Sequence, residues 1–221
     1  MHRGVATKRY SNVISNHSKI LQRSPKMSFD SPNQHCLEKL VRLSERRSVV
    51  TTEDIYDDQG VKLWAKGSEI SRELQTRLLQ RKLRAPLETS LTVEHALSFS
   101  ELIDDCLEKL AAEPLLQKIS GSRVSSLLLK ESKSLHLPQP LRLLLTTMHD
   151  KDKDSYERTL RVVIMCASIA TQLDTAQRDA LALILAAALH DIGESYIDPE
   201  HLHPSRRLNP AEWKFIASHP R

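Results

Sequence analysis

At 221 residues the chain is long enough to bury a sizeable core, either as one large domain or as two small ones. Only 5 glycines, 4% aromatic residues and 27% charged residues, with leucine abundant, favour helices over a sandwich or barrel. The net charge of +4 comes partly from the first 26 residues, where Arg3, Lys8, Arg9, Lys19, Arg23 and Lys26 face no acidic residue. The remainder is close to neutral, so a pI near 9.0 does not point to nucleic acid.

Cys36, Cys106 and Cys166 are odd in number, far apart and outside any CxxC spacing. They suggest neither a disulfide framework nor a zinc knuckle, and a reducing cytoplasm is expected. The most apolar run, Ala180 to Leu189, has ten residues where a membrane span needs about 20, so it is expected to be a core helix. The basic start of the chain has no apolar stretch of a secretory signal. Residues 1–34 are expected to be a disordered tail, with Met27 an alternative start.

"CLEKLVRLSERR" places Leu37, Leu40 and Val41 on one helical face. In "VKLWAKG" the period changes to two, and "DDQG" supplies turn residues before it, so 49–67 is expected to form a β-hairpin. "SRELQTRLLQRKL" restores helical spacing, with Ser71 as N-cap. Residues 35–90 thus form a small α/β module. From about Thr92 only helices are expected, with strands confined to 48–67. "VEHALSFSELIDDCLEKLAAE" is amphipathic, and Pro114, Gly121, Pro138 and Pro140 punctuate the helices beyond it. "DTAQ" (174–177) and "NPAE" (209–212) have capping-box spacing, and Pro210 suits a first helical position. The fold class is mainly α, a helical bundle over 91–221 preceded by the small module.

An adjacent His190 and Asp191 close the apolar helix. Both are costly to bury without a partner. A neutral imidazole and a carboxylate side by side suit a divalent ion when other helices add ligands, and such an ion would activate a bound water. The alternative is a capping pair, or a structural remnant in which Asp191 pairs with a nearby cation such as Arg158. The remaining histidines, including His201 and His203, are expected on the surface or in loops.

"LHDIG" followed by "LNPAEWKFIASHP" resembles the HD-GYP branch of the HD phosphohydrolases, with Leu208, Pro210, Glu212, Trp213, His219 and Pro220 in register. His219 lies 28 residues after Asp191 (219 minus 191), the family's spacing between those ligands. "DSYERTLRVVIMCASIA" looks like the family's first motif, so the likeness spans 150–221. "EDIYDDQGVKLWAKGSEIS" is more weakly similar to a segment found ahead of such domains. The resemblance implies hydrolysis of cyclic di-GMP in bacterial signalling with iron or manganese as divalent metal. It assigns Asp191 as bridging catalytic ligand, and His190, Asp191 and His219 as metal ligands.

The chain departs from that pattern at two aligned positions and in lacking its closing signature. The first motif's ligand histidine aligns with Arg158, 32 residues before His190 (190 minus 158), and a guanidinium cannot ligate a cation. Asp154, one turn earlier, does not replace the imidazole. The lysine that the family places on substrate phosphate is Glu194, which reverses the charge. The Gly-Tyr-Pro signature is not among the residues before Arg221, and the sequence reads as ending ahead of it. The expectation is an HD-GYP-like phosphodiesterase that is inactive as it stands. Its alternatives are a non-enzymatic regulatory or protein-interaction module and a gene fragment. Cyclic di-GMP or another signalling protein is the expected partner, with no nucleic acid and no membrane span.

Overall fold

The computed structural model describes residues 32–132, 135–202 and 206–217. The expected N-terminal tail lies outside them up to residue 31, as do His203 and His219. Helix α1 (Gln34–Ser44) starts where Asn33 Oδ1 accepts from the backbone N–H groups of His35 and Cys36, satisfying donors that a helix start leaves open. Its amphipathic spacing buries Cys36, Leu37, Leu40, Val41 and Leu43. Each fully buried leucine contributes about 1.5–3 kcal/mol relative to exposure.

Four short strands come next: β1 (Val49–Thr51), β2 (Ile55–Tyr56), β3 (Lys62–Trp64) and, beyond α2 (Arg72–Leu79) and a 3-10 turn (Leu87–Ser90), β4 (Leu91–Val93). The α2 start carries the expected Ser71 cap, whose Oγ accepts from Leu74 N. The hairpin is shorter than expected, because only β2 and β3 pair with each other. Asp57 Oδ1 accepts from Gln59 N and Val61 N in its turn, where Gly60 takes φ +82°.

Strand β1 pairs antiparallel with β4, Val49 opposite Val93 and Thr51 opposite Leu91. The expectation that strands end at residue 67 is therefore corrected. "LTV" alternates inward and outward over three residues, too short a run for the period-2 signal to register.

Beyond β4 the described residues are helical: α3 (Phe99–Ala112), α4 (Pro114–Ser120), α5 (Arg123–Ser132), α6 (Gln139–Lys151), α7 (Lys153–Gln172), α8 (Gln177–Leu189), α9 (Pro199–Leu202) and α10 (Pro210–Ile216). With α1 and α2 they make the fold mainly α, with one small α/β module at its start. A capping box between Ser98 and Glu101 starts α3. Helix α6 belongs to two cores. Leu143 and Leu144 pack with the module around Leu40, Leu74 and Leu91, whereas Leu145 and Met148 pack with Phe99, Leu102, Val163 and Ile184.

The α7–α8 pair carries the candidate site. The end of α7 is closed by Asp174 at φ +50° with Thr175 N donating to Ala170 O, the 6→1 bond of a Schellman turn. That role takes Asp174 away from the cap expected of "DTAQ", and α8 starts at Gln177 with no side-chain cap. The "NPAE" box does form, with Asn209 Oδ1 accepting from Ala211 N and Glu212 N, and Glu212 accepting from Asn209 N. Helix α8 is core on one face only. Ala180, Ile184, Ala187 and Ala188 are buried, but Leu183 is exposed, as are Met165, Ile169 and Leu173 on α7 and at its end. Among the described residues, no helix is long and apolar enough to cross a membrane.

Candidate functional site

His190 is the C-cap of α8, and Asp191 opens the 3-10 turn Ile192–Tyr196 that turns the chain back towards α1. The turn is fixed by Glu194 N donating to Asp191 O at 2.9 Å and Ile197 N donating to Glu194 O at 3.2 Å. It brings the Asp191 and Glu194 carboxylates to one side, facing the first turns of α7. Arg158 sits on α7 one turn beyond Ser155, so both reach the same place.

The Arg158 guanidinium holds these groups together. Its Nε donates to Asp191 Oδ2 at 3.0 Å and its Nη2 to Glu194 Oε2 at 2.7 Å, with a further bond to Ser155 Oγ at 3.2 Å. Ser155, itself buried, donates to Glu194 Oε2 at 3.1 Å. Asp191 and Glu194 side chains are only 15% and 16% exposed and Arg158 is 43% exposed, so water screens the cation but reaches the carboxylates poorly. Burial disfavours the charged guanidinium, yet Glu194 and Asp191 outweigh it and hold Arg158 above its usual value.

Both ring nitrogens of His190 are engaged with oxygens. Nδ1 donates to Ala187 O at 2.8 Å, and Nε2 lies 3.0 Å from Asp191 Oδ2. Lys39 reaches over from α1, its Nζ donating to Glu194 O at 3.2 Å. Asn33 adds a bond from Nδ2 to Tyr196 O at 2.9 Å. The N-terminal module is thus bonded directly to the turn after the His-Asp pair.

The structure brings together Arg158, His190, Asp191 and Glu194; His219 lies outside the described residues. The two residues at which the sequence departs from the resembled motifs lie against each other. Arg158 and Glu194, the two positions where the resemblance leads one to expect an imidazole and a lysine, are paired at 2.7 Å. The alternative in which Asp191 pairs with Arg158 is what these distances show. Sequence reasoning does not single out Ser155 or Lys39. Ser155 sits i−3 from Arg158 and carries a readable local signal, whereas Lys39 is 155 positions from its partner in the chain.

A divalent ion fits this arrangement poorly. The space beside the Asp191 carboxylate is taken by a permanently charged group that donates but cannot coordinate, and His190 Nε2 is directed at Asp191. Among the described residues no group of three or more His, Cys, Asp or Glu side chains is arranged to hold a metal ion.

Residues 155–213, a little over a quarter of the chain, match the family model described as the HD domain. The match supports the superfamily of metal-dependent HD phosphohydrolases for the segment that carries Arg158, His190, Asp191 and Glu194. No curated protein and no solved structure matches the chain.

Proposed function

We propose that the chain is an HD-GYP-type module of bacterial cyclic di-GMP signalling that does not hydrolyse the nucleotide and acts as a regulatory or protein-interaction module. The HD-domain match over 155–213 and the register of "LHDIG" with "LNPAEWKFIASHP" support the family part of this reading. One observation carries the loss of activity: the Arg158 guanidinium contacts the Asp191 carboxylate that would have to hold the metal. In an active relative, iron or manganese would supply the nucleophilic water, with His190, Asp191 and His219 as ligands by resemblance. Here a cation that cannot accept a ligand stands at the first motif, and Glu194 offers negative charge where substrate phosphate would lie. Losing a single electrostatic contact of this kind costs about 10²–10³-fold in rate, so two together remove measurable turnover.

The test is a cyclic di-GMP turnover assay on the native chain with manganese or ferrous iron supplied. The expected result is no hydrolysis above background. Metal-dependent turnover that disappears in Asp191→Ala would overturn the proposal.

A further inference from the structure

A second concavity lies beside the site, between α1, the α6–α7 junction and α9. Its volume is about 430 Å³, within the range of small-molecule pockets. Lys39 and Arg42 line it from one side, Lys151 and Lys153 from the other, and Pro199 and Leu202 give it an apolar wall.

The acidic groups on its rim are largely committed. Glu38 pairs with Arg42 at 2.6 Å, and Asp152 caps α7 by accepting from Ser155 N. With Glu38 and Arg42 paired, Asp152 and Asp154 face Lys39, Lys151 and Lys153, which leaves the lining with one more cation than carboxylates. Among the described residues Lys151 and Lys153 form no ion pair, and the Lys39 ammonium has a backbone carbonyl as its bonded partner. Burial lowers the Lys39 pKa, opposed by Asp152, Cys36 and Glu194. The start of α7, a 20-residue helix, adds partial positive charge at the same edge. No cluster of acidic or histidine side chains among the described residues converges to take a cation there.

We infer that this pocket binds a phosphate-bearing small molecule of nucleotide size, its phosphate held by Lys39, Lys151 and Lys153 and its organic part against Pro199 and Leu202. The ligand bridges the N-terminal module and the helical region, and it meets Lys39, which also holds the turn after the His-Asp pair. Neither Arg158 nor Asp191 lines the pocket, so the inference is independent of whether the chain hydrolyses anything.

The test is isothermal titration calorimetry of the full chain at low salt, with inorganic pyrophosphate and a nucleoside 5′-monophosphate as probes. Saturable binding is expected, weakened about tenfold or more by Lys151→Gln and by Lys39→Gln, since hydrogen bonds to charged groups carry that much. Lys151→Gln keeps the test valid if Lys39→Gln unfolds the chain, because Lys151 holds no ion pair among the described residues. Lys130→Gln, outside the pocket and the candidate site, is expected to bind as the native chain does. No saturable binding, unchanged affinity in Lys151→Gln, or equal weakening by Lys130→Gln would each overturn the inference.

Discussion

At the scale of single residues, the decisive feature is that one guanidinium serves two poorly hydrated carboxylates. Removing one member of a buried charge pair costs about 3–5 kcal/mol when the remaining charge is left dry. Arg158 is 43% exposed, so water offsets part of this loss, and Arg158→Ala is expected to destabilise by about 1–2 kcal/mol. For a chain of this size that corresponds to a melting temperature lower by about 2–8 °C, measured by calorimetry. Because Arg158 and Glu194 share one network, the losses of Arg158→Ala and Glu194→Ala are expected to be non-additive by about 0.5–3 kcal/mol in a double-mutant cycle. Strict additivity would show that the pair is incidental.

Glu212 gives a pH-dependent counterpart. Bonds from Arg206 and from the Asn209 backbone lower its carboxyl from 4.5 to about 2. A depressed folded pKa contributes stability that is fully present above the unfolded value and lost as pH falls towards the folded one. Amide protection in α10 is therefore expected to weaken between about pH 4.5 and pH 2, and to lose this dependence in Glu212→Gln. An identical pH profile in the variant would contradict the assignment.

At the scale of elements, α6 joins two cores through neighbouring residues. Leu143 faces the N-terminal module and Leu145 the helical bundle, and both are fully buried. Leu143→Ala is expected to cost about 2–5 kcal/mol, read from chemical denaturation, because it removes buried methyl groups and leaves a cavity. A cost below about 1 kcal/mol would mean that the α6 contact with the module is loose.

How much the sequence discloses at this scale depends on how local each signal is. Helices α1, α2 and α3 and the Asn209 cap are readable because their spacing and caps lie within a few residues. Strand β4 is not, since its partner β1 lies some forty residues away and its own run is three residues long. The cap expected at Asp174 fails because ending α7 and starting α8 compete for the same residue. The resemblance aligns Arg158 with the first motif, and the structure sets it 3.0 Å from Asp191, whereas the Glu194 contact depends on the 3-10 turn after α8, which no periodicity encodes.

At the scale of the whole molecule, the module and the bundle are linked by more than α6. Arg47 reaches from beyond α1 to Asp150 with two bonds, at 2.6 and 3.1 Å, and Lys39 and Asn33 bond the turn after the His-Asp pair. Thermal unfolding is therefore expected to give one transition in which near-ultraviolet signals of Trp64 in the module and of Tyr156 in the bundle change together. Two separated transitions would show independent halves.

The Arg158 guanidinium is bonded to the Asp191 carboxylate, and on that contact the proposed absence of turnover rests. Manganese titration of the native chain alongside Arg158→His plus Glu194→Lys tests it most directly, with bound metal quantified after dialysis. No stoichiometric manganese is expected on the native chain, and more bound metal is expected in the double variant. Stoichiometric manganese on the native chain, lost in Asp191→Ala, would contradict it.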